Sequence, residues 1–121
     1  MARNRVAGLI ALKIDGDIYK AKGNFTYNLG KPKRDAVVGA DAVHGYKEAV
    51  QIPFIEGEIT DTSELSLEAL VNITDATVTL ELGNEKVIAL RQSWFAGEGT
   101  GNTEEGNIAV RFEGMSAEEI R

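Results

Sequence analysis

The stretch that decides the fold is residues 75–95, which are DATVTLELGNEKVIALRQSWF. Apolar and polar side chains alternate along Asp75–Leu82, a pattern that predicts a strand with one packed face. The pair Gly83-Asn84 is typical of a two-residue hairpin turn, and Lys86–Phe95 is predicted to return as the next strand. The side chains expected on the inner face of that strand are Ile88, Leu90 and Trp94. Residues 75–95 therefore predict two neighbouring strands of an antiparallel sheet.

The same alternation extends outward from this hairpin. Val6–Ile14 and Ile18–Asn28 are predicted strands, joined by a tight turn at Asp15-Gly16-Asp17, where Gly and Asp tolerate positive φ angles. Proline lacks the N–H that a strand ladder needs, so Pro53 is expected to separate two further strands. The remaining predicted strands are Tyr46–Ile52, Phe54–Asp61 and Asn107–Glu113.

One short helix is predicted beside the strands, over about residues 62–72. Asp61 and Glu64 have the spacing of a capping box, with Asp61 as the N-cap, and an apolar cluster follows them. Residues 96–106 are expected to form a glycine-rich loop, and Met115–Arg121 a helical turn or a frayed end.

These elements add up to a mostly β (α+β) fold in a single domain over residues 1–121. The predicted architecture is two packed antiparallel sheets, or a small barrel-like sandwich, with one flanking helix and a long protruding loop.

The long loop is predicted at residues 29–45, which contain three glycines and one proline and have no sustained period. Ordering ~15 residues costs roughly 15–30 kcal/mol of backbone entropy. At ~25 cal/mol per Å², apolar burial offsets that cost only over roughly 600–1,200 Å². A neighbouring subunit could supply this area more easily than a lone small domain. The apolar side chains of Val37, Val38 and Val43 also favour a partner at this loop.

Composition excludes several classes of function. The chain has 121 residues, a mass of 13.1 kDa and no cysteine, which excludes disulfide frameworks and thiolate nucleophiles. A single histidine excludes metal sites built from several histidines. The net charge of −6 disfavours a protein that grips nucleic acid through phosphates. No apolar run is long enough to span a membrane.

Charge is distributed unevenly along the chain. Residues 1–47 carry nine basic and four acidic side chains, a net of +5, whereas residues 48–121 carry four and fifteen, a net of −11. Such a separation fits a surface of one copy that attracts the opposite surface of the next. It also fits charged side chains that simply solvate strand faces, and composition does not choose between these interpretations.

Motifs for catalysis or cofactor binding are weak. His44 lies near Asp41, but no matching nucleophile accompanies it. Asp15-x-Asp17 begins like a calcium-binding loop but lacks its later ligands. The glycines of residues 96–106 lack the lysine of a phosphate-binding loop. We therefore predict no catalytic, metal or cofactor-binding residues, no cofactor, and a protein that is not an enzyme.

A succession of motifs spans nearly the whole chain. In order they are Val6-Ala7-Gly8, Asp15-Gly16, Lys33-Arg34-x-x-Val37-x-Gly39-x-Asp41-x-Val43-x-Gly45-Tyr46-Lys47-Glu48, Pro53-Phe54-Ile55-x-Gly57, Thr77–Leu82 with Asn84, Trp94 and Phe112-Glu113-Gly114. In this order the chain resembles the tail tube proteins of Mu-like bacteriophages with contractile tails.

The resemblance implies a structural virion protein that self-assembles into homo-hexameric rings stacked head to tail. The stacked rings would form the inner tail tube, through which double-stranded DNA passes on genome ejection without specific binding. The implied partners are the tail sheath, tape-measure, baseplate and tail-terminator proteins, with no membrane. The implied location is the virion tail, after assembly in the bacterial host cytoplasm.

The resemblance also implies that the long loop reaches adjacent subunits. The candidates for intersubunit contact are Lys33, Arg34, Val37, Val38, Asp41, Val43, His44 and Tyr46. Three alternatives stay open: a small ligand-binding β-barrel, an enzyme that uses His44, and the tube protein of a related contractile injection or bacteriocin system.

Overall fold

The computed structural model describes residues 11–120, which form nine strands and one short helix. In chain order the elements are β1 (Ala11–Ile14), β2 (Asp17–Asn28), β3 (Lys33–Val38), β4 (Val43–Ala49), β5 (Phe54–Thr60), α1 (Leu67–Val71), β6 (Ala76–Glu81), β7 (Val87–Phe95), β8 (Gly101–Asn102) and β9 (Asn107–Ile120). The motif at residues 6–8 and the start of the predicted strand Val6–Ile14 lie outside the described residues.

Seven strands form one antiparallel sheet in the order β5-β2-β1-β6-β7-β9-β8, and β3 and β4 form a separate two-stranded sheet. The larger sheet curls over the core because β9 pairs with β5 along its first half and with β7 along its second half. Among the described residues, only Phe112 and Glu113 pair with both β5 and β7. The two sides of the sheet therefore overlap over two residues only, which leaves the sheet short of a closed barrel. The prediction of a mostly β fold with two antiparallel sheets and one small helix is confirmed.

A single apolar core lies inside this curl. Its fully buried members are Leu12, Ile55, Ile59, Leu70, Val78, Leu80, Ile88, Leu90, Ile108, Val110 and Phe112. The rings of Phe95 and Phe112 meet edge to face, with their centroids 5.5 Å apart. Burying each large apolar side chain contributes roughly 1.5–3 kcal/mol, so the core fixes the register of the strands around it.

The turn between β1 and β2 lies where the sequence predicts it. Asp15 and Gly16 have φ angles of 50° and 92°, as a two-residue hairpin turn with two positive φ values requires. The Asp15 carboxylate also accepts a hydrogen bond from the Thr77 N–H at 2.9 Å, which ties the turn to the start of β6.

The turn between β6 and β7 is one residue longer than predicted. Leu82 and Lys86 close the hairpin through a 2.9 Å backbone hydrogen bond, and Glu85 has a φ of 73°. The loop is therefore the three residues 83–85, of the type in which a β-turn is followed by one left-handed residue.

A β-bulge corrects the predicted inner face of β7. The register between β6 and β7 shifts next to Gln92, which has a φ of 51°. The extra residue reverses the alternation, so Ser93 is buried and Phe95 packs on the core, while Trp94 is only half-buried. The prediction that Trp94 shares an inner face with Ile88 is wrong for this reason.

The helix is shorter than the predicted span of about 62–72. A turn closed by the Leu65 N–H and the Thr62 carbonyl, at 3.1 Å, occupies the expected first turn. Ser66 then has extended backbone angles and caps α1, because its hydroxyl accepts the Ala69 N–H at 3.2 Å. The N-cap is therefore Ser66 and not Asp61. No helix among residues 11–120 is long and apolar enough to cross a membrane.

The end of β9 corrects a fourth prediction. Residues 115–120, predicted as a helical turn or a frayed end, continue the strand and pair with β7. Ala117 packs against the core, and the Glu118 carboxylate accepts hydrogen bonds from the Arg91 guanidinium. These cross-strand contacts hold the segment in extended form.

Candidate assembly surface

Residues 29–45, predicted as a loop without regular structure, instead contain β3 and the start of β4. The two strands form a hairpin that lies between β2 and β5 in the sequence, where β2 and β5 are themselves paired. The hairpin therefore leaves the domain at the end of the β2–β5 ladder and forms a separate two-stranded sheet there. Of its residues 33–49, all but Asp35 and Gly39 are exposed.

The base of the hairpin is held by local contacts. Gly30 has a φ of 76° and lies so close to the Pro53 ring that a Cβ atom there would come within 2.6 Å of it. The Asn28 side chain accepts the Gly30 N–H at 2.7 Å, and the Gln51 side-chain amide donates to the Lys31 carbonyl at 2.9 Å. These contacts set the direction in which the hairpin leaves the domain.

The tip of the hairpin is compact. Gly39 donates its N–H to the Ala42 carbonyl at 2.8 Å, and the His44 ring lies where a Cβ atom of residue 39 would be. The His44 imidazole is 3.8 Å from the Asp41 carboxylate, in an exposed pair that contributes little to stability. His44 therefore packs on the turn glycine, which is a structural role.

The two faces of the hairpin differ in chemistry. One face carries Lys33, Asp35 and Val37 opposite Ala49, Lys47 and Gly45. The other face carries Arg34, Ala36 and Val38 opposite Glu48, Tyr46 and Val43. We call the second set the apolar face, because four of its six side chains are uncharged and largely apolar. The Arg34 guanidinium lies 5.2 Å from the centre of the Tyr46 ring and closes this face at its base.

The apolar face is open to solvent in the described chain. Val38, Val43 and Tyr46 are 69%, 67% and 60% exposed. Such a cluster of exposed apolar side chains on an ordered element is typical of an interaction surface.

All eight residues predicted to make intersubunit contacts lie on this hairpin and are exposed. The structure brings Arg34, Val38, Val43 and Tyr46 together on the apolar face. Lys33 and Val37 lie on the opposite face, and Asp41 and His44 lie at the tip.

Sequence reasoning missed three exposed apolar residues near this surface. Ala36 belongs to the apolar face, and Val50 and Ile52, at 93% and 53% exposure, follow β4. Val50 and Ile52 were expected inside the strand Tyr46–Ile52, but β4 ends at Ala49. The period-2 placement of Ala36 between Arg34 and Val38 is the signal that could have identified it.

Other surface features offer little chemistry. A groove of about 500 Å³ lies between the start of β2 and residues 60–66. Burial raises the pKa of the Tyr19 phenol in this groove, and the nearby Asp17 carboxylate raises that pKa further. The described residues contain no group of three or more acidic or histidine side chains placed to hold a metal ion.

The family comparison agrees with an assembling β protein. The family model of phage tail tube proteins matches residues 3–119, nearly the full length of the chain. The chain belongs to the phage tail tube protein family. A comparison with individual curated proteins found no match. As a tail tube subunit, the chain is a structural component of the virion tail, in a family that is not enzymatic in general.

Proposed function

We propose that this subunit forms hexameric rings that stack head to tail into the inner tube of a contractile, Mu-like tail. Double-stranded DNA would pass through the tube on infection without specific binding. The observation that carries the proposal is the β3–β4 hairpin, which within residues 11–120 pairs only with itself and exposes its apolar face.

The energetics of the hairpin support assembly. A two-stranded ribbon is marginally stable in water, and this one lies outside the core of the larger sheet. Packing its apolar face on a neighbouring subunit removes Val38, Val43 and Tyr46 from water. Contact between two different surfaces of the same chain is heterologous, so it can be repeated around a ring and between rings.

The distribution of charge supports passage of DNA. A wall rich in carboxylates repels phosphates and avoids the counterion release that makes basic grooves bind DNA. Residues 48–121, with a net charge of −11, could supply such a wall. The basic first part of the chain would then face acidic surface on neighbouring subunits.

The remaining partners follow from the role of a tube. In this proposal the outer surface of the tube contacts a tail sheath, and its lumen holds a tape-measure protein during assembly in the bacterial host cytoplasm. Its ends contact baseplate and tail-terminator proteins. A tube protein of a related contractile injection or bacteriocin system would share all of these contacts except the passage of DNA.

Replacing the hairpin tests the proposal. In the variant, a short Gly-Ser linker replaces residues 33–49, and a control variant shortens the exposed turn at residues 103–105 between β8 and β9. We expect the wild type and the control to form tubes in negative-stain micrographs. The hairpin variant should keep the β-type circular dichroism spectrum of a folded subunit, reduced by the contribution of β3 and β4, and sediment as a monomer. Tubes formed by the hairpin variant, or a wild type that stays monomeric at high concentration, would contradict the proposal.

A further inference from the structure

The hairpin joins the body of the domain at Pro53. This residue is buried, and its ring lies where a Cβ atom of Gly30 would be. Its carbonyl accepts the Gly114 N–H at 3.2 Å. The first contact joins Pro53 to the chain that enters the hairpin, and the second joins it to β9. One residue therefore ties both ends of the hairpin to the larger sheet.

The residue that follows Pro53 is held by side chains of β9. Phe54 lies opposite Glu113 in the β5–β9 ladder, and the central carbon of the Arg111 guanidinium lies 4.2 Å from the centre of the Phe54 ring. Nε of Arg111 donates to the Glu113 carboxylate at 3.0 Å, and its Nη1 lies 3.4 Å from the Glu56 carboxylate. Arg111 thus contacts the ring and the two carboxylates beside it.

These contacts are suited to holding the ring in one orientation. The side chains of Arg111 and Glu113 are 29% and 21% exposed, so salt and water screen their charges less than those of a fully exposed pair. A guanidinium is planar, stacks on an aromatic face and presents its donors in a fixed fork, whereas a lysine ammonium is a point charge on a flexible stem. Arg111 can therefore fix Phe54 in a way that a lysine cannot.

Phe54 lies at the point where the hairpin begins. It is the first residue of β5 and pairs with Asn28, the last residue of β2. The Asn28 side chain also accepts the Gly30 N–H at 2.7 Å, at the start of the chain that enters the hairpin. When Phe54 is held against β9, it therefore fixes the direction in which both ends of the hairpin leave the sheet.

We propose that Arg111 is a positioning residue for assembly, which holds Phe54 against β9 and so keeps the apolar face of the hairpin in the orientation that meets a neighbouring subunit. This inference rests on the proposed self-assembly and identifies a residue that acts on it from outside the hairpin. A hairpin that is already oriented in the lone subunit does not have to be ordered on association, which lowers the cost of binding. Loss of that orientation should raise the critical concentration for assembly without unfolding the core.

The first experiment measures the orientation of the hairpin in the lone subunit. Because the chain has no cysteine, nitroxide labels attach only at Ala40→Cys, in the exposed tip, and at Lys20→Cys, on β2. Pulsed electron paramagnetic resonance then gives the distance between the labels in dilute full-length protein. We expect one narrow distance distribution, which Arg111→Lys broadens. Arg91→Lys is the matched control, because Arg91 binds Glu118 in the part of β9 beyond its pairing with β5, and it should leave the distribution narrow.

The second experiment measures assembly by sedimentation over a range of protein concentrations. We expect Arg111→Lys to raise the critical concentration roughly fivefold or more relative to Arg91→Lys, with equal urea midpoints of the dilute subunits. Both substitutions keep the charge, so net charge does not account for a difference. Phe54→Leu removes the ring, and adding it to Arg111→Lys should cause less than its own separate rise, because the same contact is already lost.

The outcomes separate this inference from the proposed function. A broad distance distribution in the wild-type background, or equal widths for Arg111→Lys and Arg91→Lys, would overturn the positioning role whether or not tubes form. Equal critical concentrations for these two variants would overturn it as well. If the wild type forms no tubes but Arg111→Lys alone broadens the distribution, the proposed function is wrong, whereas the orientation of the hairpin by Arg111 is supported. If Arg111→Lys lowers the urea midpoint, the label distances in the folded subunit still decide.

Discussion

Replacing both valines at the end of the apolar face should raise the concentration needed for assembly without affecting the subunit. In Val38→Thr with Val43→Thr, each substitution exchanges a methyl for a hydroxyl and keeps the β-branched shape that a strand favours. The two side chains pair across β3 and β4 and are 69% and 67% exposed in the lone chain, so most of their burial remains to be gained on assembly.

The size of the effect follows from these exposures. Loss of a methyl-sized apolar group costs about 0.8 kcal/mol on full burial, and desolvating an unpaired hydroxyl adds about 1 kcal/mol or more. With about two-thirds of each side chain still to be buried, each site loses about 1 kcal/mol of assembly free energy. Two sites lose about 2 kcal/mol per subunit contact, which corresponds to a roughly 30-fold higher critical concentration.

The assay is sedimentation of assembled protein over a range of total concentrations, with urea denaturation of the dilute subunit beside it. Ile18→Thr is the control, because Ile18 is also 69% exposed but lies on β2, outside the hairpin. We expect the control to assemble at the wild-type concentration and both variants to unfold at the wild-type urea midpoint, since exposed substitutions rarely change stability by more than about 0.5 kcal/mol. An unchanged critical concentration in the double variant would refute the role of the apolar face.

Three further changes have predictable results. Lys33→Glu with Arg34→Glu should weaken tube formation at low salt, and added salt should reduce the difference from wild type because it screens the repulsion. Equal tube yields at all salt concentrations would show that these two charges have no role in the assembly contact. Gly57→Ala should lower the unfolding free energy of the subunit by about 1–3 kcal/mol in urea denaturation, because the added Cβ atom would lie 2.6 Å from the Phe25 ring. Adding Phe25→Leu to this variant should recover part of the loss. If the losses from the two substitutions simply add in the double variant, the contact with Phe25 is not the cause. The pKa of Tyr19 is raised in the folded chain above its ordinary value of 10, so the stabilising contribution of the neutral phenol is complete below pH 10 and is lost as the pH rises through the folded pKa. Tyr19→Phe should therefore flatten the decline of the unfolding free energy at alkaline pH. An unchanged slope would contradict this prediction.

The sequence predicted those strands that have one face on the core. Along β6 the buried residues Val78 and Leu80 alternate with Thr77 and Thr79, so burial and pattern coincide. The prediction failed where a local backbone event changes the alternation. The left-handed Gln92 in β7 is such a case, since no residue type at that position signals a bulge.

The hairpin could not be predicted from alternation because neither of its faces meets the core. In β3, Lys33 and Asp35 lie on one face and Arg34 on the other, so charged side chains occur at consecutive positions and the period-2 signal disappears. The glycines that suggested a loop have specific roles instead. Gly30 makes room for Pro53, and Gly39 makes room for the His44 ring. The residues chosen for assembly lie together on this exposed hairpin, and their contact with a neighbouring subunit stays a prediction.

The β3–β4 hairpin lacks something that a neighbouring copy of the chain can provide. A two-stranded ribbon is at best marginally stable in water and needs a third strand or packing on another element for independent stability. Among the described residues the hairpin pairs only within itself, and on the proposed assembly a neighbouring subunit supplies the missing element. The apolar face makes this contact specific, because its side chains must fit a particular neighbouring surface. Substitutions at Val38 and Val43 should therefore raise the critical concentration for assembly and leave the fold of the lone subunit unchanged.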